Sequence, residues 1–361
     1  MKTIQIVTQM EGGGAQRVAM LLQEGLLQKG EECEVWFLYK KRATYENHTN
    51  VLTILDRPPE GIKDYFYIIK QLFRLIRKRK PIKIISHTHY ANILTLPIAA
   101  LLGVKKRIAV QHNPVETYPK VAKKMDKLIG NLGVYTKNVV VSKSVNESLN
   151  SYPKNYKDRL VQIFNGVKVK EPTLGSDEIK SQLGIEKETP VIINVGRLAE
   201  QKNQKYLIDL IAKMDGVHLL IVGDGELKEE LQEYCNVLDC KNRVHFLGEV
   251  PPDEISNFLN ASNVFVFPSV FEAMGLALVE AMSIGLPVIA NDLPATREVL
   301  AVKEGEKANG IIISVAEFEK CISQIKEILE DKELAVTLGN NAKERAKLYS
   351  VENMTDQYQK L

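Results

Sequence analysis

Three things are scarce in this 361-residue chain: long apolar runs, closely spaced cysteines, and carboxylates grouped to hold a metal. No segment approaches the ~20 unbroken apolar residues that a membrane-spanning helix needs, which argues against a spanning protein. The four cysteines are Cys33, Cys235, Cys240 and Cys321. None forms a Cys-x-x-Cys pair, which argues against zinc and thioredoxin-like chemistry and for reduced, space-filling side chains. The opening stretch MKTIQIVTQMEGGG turns polar too soon for a signal peptide and has no small-residue cleavage site, so a cytosolic location is expected. No Asp-x-Asp cluster stands at a strand end, so no metal is expected; no other cofactor is expected either. Internal repeats and low-complexity segments are missing too.

What is present has globular proportions, with 45% hydrophobic and 26% charged residues. The length suits two domains of about 150 residues each. A net charge of +3 conceals an asymmetry: residues 1–165 hold 27 of the 48 basic side chains but only 13 of the 45 acidic ones. That half, at +14, is drawn to something anionic, a membrane surface or nucleic acid; the rest carries −11. Base stacking needs an aromatic and basic platform that the chain does not display, so nucleic acid is not the expected partner.

Strand and helix patterns alternate twice. KTIQIVTQM, a glycine turn, AQRVAMLLQEGLLQKG and CEVWFLY read as strand, turn, helix and strand, and IKIISHTH, KRIAVQH and KNVVVSK continue the strands. A weak patch at 168–190 interrupts the pattern. It restarts with VIINVG and runs through VHLLIVG, RVHFLG, NVFVFPS and LPVIAND. Two such runs predict an α/β protein of two doubly wound, Rossmann-like domains facing a central cleft, one over 1–167 and one over 168–341.

Candidate chemistry collects where strands end, because ligands of open parallel sheets bind beyond the strands' carboxyl ends. Arg197 and Lys202 in VGRLAEQKN suit a diphosphate, the arginine as a fork and the lysine as a point charge. Gly223 and Asp224 lie in the IVGDGE turn. The apolar stretch FPSVFEAMGLALVEAMSIGLPVIA carries Glu272 and Glu280, and a buried carboxylate is costly unless it is paired. Met274, Gly275 and Leu276 stand where loop becomes helix, and their N–H groups make an anion site. Glu280, about a turn into the helix, suits ribose hydroxyls. Gly12, Gly13 and Gly14, with His112 in VQHNP, offer a flexible turn and an imidazole from the first domain.

Together, GGGAQR, QHN, FNGV, GRLAEQKN, GDGE, FLG and SVFEAMGLALVEAMSIGLPVIA resemble glycosyltransferase family 4, in the family's order from residue 12 to about 298. The resemblance implies the GT-B fold and a retaining transfer from a nucleotide sugar, expected to be a UDP-sugar, to a saccharide acceptor. It also implies a place in bacterial surface-polysaccharide or lipid-linked oligosaccharide synthesis. By resemblance, Arg197 and Lys202 hold the donor diphosphate, Glu272 meets the transferred sugar, and Glu280 binds ribose. Val250 lies near the base, Gly13 and Gly14 near the diphosphate, and His112 by the donor sugar, where it helps stabilise the transition state; Glu272 and His112 are the catalytic residues the resemblance implies. Asn165 in FNGV marks the domain junction, and residues 342–361 form a helix returning to the first domain. Gln16 stands where many relatives have Glu, Met274 replaces a frequent Phe, and Ala277 a frequent Pro. A GT-B epimerase, a phosphorylase, a soluble acceptor and a non-catalytic nucleotide-sugar binder are the competing readings, though no lysine is marked out for pyridoxal phosphate.

Two basic segments complete the picture. YFYIIKQLFRLIRKRKPIK reads as a helix whose Ile69, Leu72, Phe73 and Ile76 pack on the sheet, while Lys70, Arg74, Arg77, Lys78 and Lys80 lie mostly off that stripe. KVAKKMDKLIG adds Lys120, Lys123, Lys124 and Lys127. Their charge suits peripheral attachment to the anionic inner face of the cell membrane, where a lipid-linked acceptor would be met.

Overall fold

The structure, a computed structural model, describes residues 2–302 and 308–361. It divides into two compact units, Met1–Val167 with Tyr349–Leu361, and Lys168–Leu348.

The first unit runs β1 (Lys2–Met10), α1 (Gly14–Gln28), β2 (Glu32–Lys40), β3 (Val51–Leu55), α2 (Ile62–Arg79), β4 (Lys83–His87), α3 (His89–Leu101) and β5 (Lys106–Gln111). It continues with α4 (Lys120–Asn131), β6 (Lys137–Val140), α5 (Lys143–Ser148), α6 (Lys154–Lys157) and β7 (Leu160–Gln162). All pairings are parallel, in the order β3-β2-β1-β4-β5-β6-β7. β1 and β4, at the centre of the sheet, are buried almost throughout, and their buried members include the polar Thr3, Gln5, Lys83, Ser86 and His87 as well as Ile4, Ile6, Val7, Ile84 and Ile85.

The second unit runs α7 (Ser176–Gln182), β8 (Val191–Val195), α8 (Gln204–Ala212), β9 (His218–Val222), α9 (Lys228–Val237), β10 (Val244–Gly248), α10 (Ile255–Asn260) and β11 (Val264–Phe267). Then come α11 (Leu276–Ile284), β12 (Val288–Ala290), α12 (Pro294–Leu300), β13 (Ile311–Ile312), α13 (Phe318–Glu330) and α14 (Lys332–Ala346). The sheet order is β10-β9-β8-β11-β12-β13, again parallel. Ile192, Ile208, Leu219, Val264 and Ile325 belong to its continuous apolar core.

Two expectations need correction. Residues 342–361 do not form one returning helix. Lys332–Ala346 is an uninterrupted helix packed on α11 and α13, so the second unit continues to Leu348. Only α15 (Val351–Lys360) joins the first unit, lying on α1. The fully buried Lys83 donates a 2.8 Å hydrogen bond to the Tyr358 carbonyl near the end of α15, where the helix dipole favours a cation. The stripe on α2 is also rotated from its expected place: Ile68, Leu72 and Ile76 are buried, whereas Ile69 and Phe73 are 36% and 40% exposed.

Strands β3, β7 and β13 have no counterpart in the sequence pattern. They are two to five residues long and, unlike the other strands, have no fully buried residue. All four cysteines are unbridged and buried, and burial pushes the Cys33 and Cys235 thiols up to about 12, which leaves them unreactive. Among the described residues no helix is long and apolar enough to cross a membrane.

Candidate functional site

In the second unit β8 and β11 are neighbours, with β9 and β10 on one side and β12 and β13 on the other. The order reverses between β8 and β11, and ligands of open parallel sheets bind outside the carboxyl ends of the strands at such a switch point. The β8 loop carries Arg197 and Lys202, and the β11 loop carries Glu272.

The two loops are tied together. The Val270 N–H donates to the Gln201 carbonyl at 2.9 Å, and the Gln201 amide donates to the Phe271 carbonyl at 2.7 Å. Between them Lys202 Nζ forms an ion pair with Glu272 Oε1. Their side chains are 20% and 8% exposed, and the ammonium lies 5.3 Å from the Phe267 ring centroid. Lys202 is therefore the partner that lets Glu272 sit in an apolar stretch.

Gly275 caps α11 at φ +83°, a left-handed conformation that an L side chain adopts only with strain. That turn starts α11 beside Glu272, and the first N–H groups of a helix have no acceptor within it. Met274 itself is buried, so only its backbone is available to a ligand. Glu280 is 3% exposed within α11. Val250 is half-buried two residues beyond β10.

Arg197 is largely exposed and ion-paired with Glu226, at 3.1 Å from Nε and 2.9 Å from Nη2. The glycine turn that holds Glu226 packs on the Arg197 loop so closely that a Cβ at Gly223 would stand 2.1 Å from the Gly196 carbonyl oxygen. Asp224 accepts from the Gly225 N–H at 2.7 Å and from Lys228 at 3.1 Å. The conformational freedom of these glycines is thus used for packing one loop on the other.

In the first unit the order reverses between β1 and β4. The β1 loop holds Gly12, Gly13 and Gly14; Gln16 folds back and donates to the Gln9 carbonyl at 3.1 Å, bracing this turn. The β4 end holds Thr88 at φ +73°, ψ 150°, a strained state for a β-branched residue. Thr8 and Thr88 share a 2.5 Å hydrogen bond, and the Ala91 N–H donates to Thr8 Oγ1 at 3.1 Å. Neither threonine stood out in the sequence; the polar run SHTHY at a strand end was the available signal. Asn165 is buried three residues past β7, next to Gly166, whose N–H lies 3.0 Å from the sulfur of Met354 on α15.

His112, one residue past β5, is not alone. Its Nε2 lies 2.9 Å from His87 Nδ1, and His87 Nε2 lies 2.8 Å from Gln5 Oε1. The Gln5 amide nitrogen donates to the Ala19 carbonyl at 2.9 Å, which fixes Oε1 as an acceptor. His87 must then carry its proton on Nε2 and accept at Nδ1, and His112 must carry its proton on Nε2. Neutral His112 is left with Nδ1 as a pure acceptor. His87, the centre of this relay, was not foreseen from sequence.

Burial lowers His112 to about 4, and burial with the neighbouring ring lowers His87 well below the usual 6.5. Both are neutral when folded, whereas the unfolded chain takes up protons near pH 6.5. Between about pH 6.5 and 4 the unfolded state binds more protons, so stability is full above that window and falls as pH drops through it. Thermal melts from about pH 7.5 to about pH 4.5 should show a declining Tm. The decline should be shallower in a His87→Phe, His112→Leu double variant; equal slopes would contradict the buried neutral pair.

Among the described residues no three or more His, Cys, Asp or Glu side chains group as metal ligands.

Two parallel, doubly wound units of seven and six strands among the described residues, each with a topological switch point, define a GT-B glycosyltransferase architecture. A crystal structure of the Anabaena protein HepE in complex with UDP-glucose has the same fold, at TM-score 0.83 and 18% identity over 99% of this chain and 98% of that one. Residues 12–171 match Glycosyltransferase Family 4, and residues 175–345 match Glycosyl transferases group 1. The chain belongs to glycosyltransferase family 4. An uncharacterized glycosyltransferase of Methanocaldococcus jannaschii is 32% identical over 255 residues, 65% of this chain; the chain spans only 62% of that relative's length. The Escherichia coli UDP-Gal:alpha-D-GlcNAc-diphosphoundecaprenol alpha-1,3-galactosyltransferase is 28% identical over 351 residues, covering 91% of this chain and 87% of that relative.

Proposed function

We propose that the chain is a retaining, metal-independent glycosyltransferase that moves a sugar from a UDP-sugar to a lipid-linked saccharide. The observation that carries this reading is the Lys202–Glu272 pair at the β8/β11 switch point, beside the start of α11. A cation, a carboxylate and the N-terminal end of a helix meet there, which suits a donor with an anionic diphosphate at one end and a polyhydroxylated sugar at the other. The Anabaena structure holds UDP-glucose, and the E. coli relative is named for a UDP-galactose donor and a diphosphoundecaprenol-linked acceptor. Both names favour a UDP-sugar here, and the second favours a lipid-linked acceptor.

In the proposed reaction the anomeric carbon–oxygen bond to the β-phosphate breaks and a bond to an acceptor oxygen forms on the same face. The acceptor's proton passes to the leaving phosphate oxygen. Lys202, Arg197 and the α11 N-terminus offset the charge that grows on the diphosphate. To bind it, Arg197 exchanges its exposed Glu226 partner for phosphate oxygens. Glu272 orients the sugar and stabilises its oxocarbenium character without forming a covalent bond. Glu280 takes the ribose hydroxyls, and His112, neutral with Nδ1 open, accepts a hydrogen bond from a donor-sugar hydroxyl.

The test is donor hydrolysis and transfer with a panel of UDP-, GDP- and ADP-sugars, using lipid-linked and free saccharide acceptors. Transfer from a UDP-sugar is expected, with net retention and full rate in EDTA. No turnover of any donor would refute the reaction. Loss in EDTA restored by magnesium or manganese would refute the fixed-cation mechanism alone.

A further inference from the structure

Helices α2 and α4 carry apolar side chains that the fold leaves uncovered. On α2, Ile62, Phe66, Ile69 and Phe73 recur at helical spacing and are all exposed, Ile62 at 73% and Phe66 at 65%. Val121, Met125 and Leu128 on α4 and Leu132 at its C-cap repeat the same spacing, Val121 at 70% and Leu132 at 69% exposed. Neither stripe is the packing face. α2 is held by Ile68, Leu72 and Ile76. α4 is anchored by the fully buried Asp126, which accepts from Tyr156 at 2.7 Å, Tyr135 at 3.1 Å and Gln111 at 3.2 Å. Helix α3 packs against both α2 and α4, so the stripes belong to one helical layer.

The exposed charge on the two helices themselves has one sign, although Glu60 and Glu116 are exposed in the loops before them. Lys63, Lys70, Arg74, Arg77 and Lys78 on α2 are exposed, and Lys120 and Lys124 on α4 likewise. Of the carboxylates on these helices, Asp64 is engaged by Arg57 at 2.7 Å and Asp126 is buried. Apolar rows flanked by cations are the pattern of helices that lie in a membrane interface, where side chains enter the acyl boundary and lysines stay at the head groups. A second copy of the chain would bring cation against cation, so a self-interface is disfavoured.

We propose that the α2 and α4 stripes, with the cations beside them, are a docking surface for an anionic lipid leaflet. The proposal goes beyond the transfer reaction, because it depends on this surface and not on the residues at the β8/β11 switch point. It also differs from attachment by charge alone: two apolar rows enter the bilayer, and the cations select which bilayer.

The experiment is sedimentation of the full chain with vesicles of phosphatidylcholine alone or with phosphatidylglycerol, at low and high salt. Binding to the anionic vesicles is expected, weaker in high salt, with about fivefold lost for each cation removed. Phe66→Ser with Leu128→Ser should weaken binding about tenfold or more at both salt levels. Arg77→Glu with Lys124→Glu should abolish the preference for phosphatidylglycerol. Equal binding to both vesicles, or none, overturns the proposal. So does a concentration-dependent dimer in analytical ultracentrifugation that the serine pair abolishes. Donor hydrolysis and thermal melts on the same preparations show that the variants are folded. Should the serine pair unfold, the charge-reversed pair still decides. Failed hydrolysis with intact vesicle binding counts against the transfer reaction only.

Discussion

Glu272→Ala is expected to lower kcat about 10²- to 10³-fold, the usual effect of deleting one preorganised group that stabilises transition-state charge. The structure adds a second consequence: the substitution also frees Lys202, the cation assigned to the diphosphate. Glu272→Gln separates the two effects. The glutamine oxygen still accepts from Lys202 Nζ and holds it in place, but the negative charge beside the sugar is gone. If charge is what matters, Gln and Ala variants are equally slow; if Glu272 serves only to position Lys202, Gln restores most of the rate. Lys202→Ala should raise KM and lower kcat together, because the diphosphate is bound in the ground state and gains charge in the transition state. It should also lower Tm, since it leaves a carboxylate with 8% exposure unpaired. Near wild-type kcat in purified, folded Glu272→Ala would remove the catalytic assignment.

The histidine relay should give the next largest effect. His112→Ala is expected to reduce kcat about 10²-fold if its Nδ1 meets the donor sugar. His87→Phe touches no proposed substrate atom. It fills similar volume but leaves Gln5 Oε1 and the His112 Nε2–H without their partners, at about 1–3 kcal/mol for each buried group. It also releases the constraint on the His112 tautomer. Nitrogen-15 NMR should therefore find neutral His112 protonated on Nε2 in the native chain and mixed between tautomers in the variant, with kcat falling more than KM changes. A variant that loses stability but keeps both the tautomer and kcat would show that His87 is only a packing residue.

The sequence by itself determined the two runs of alternating strand and helix, the glycine turn that starts α1, and the residues at the ends of β5, β8 and β11. Those features are local: apolar periodicity and turn chemistry act over a few residues and survive in any tertiary context. The Lys202–Glu272 pair was not legible in the same way. The two lie 70 positions apart, and they meet because β8 and β11 are neighbours in the sheet order. Gln5 within β1, His87 at the end of β4 and His112 just past β5 come from three different strands, and only the pairing of β1, β4 and β5 brings them together. Periodicity also gave the right kind of face to α2 but the wrong bearing. Ile69 and Phe73 fit an apolar stripe as well as Ile68 does, and a helix with more apolar positions than its sheet can cover does not announce which it will bury. Local patterns set what each segment becomes; the order of the strands set which side chains met, and the area of the sheet set which were left facing outward.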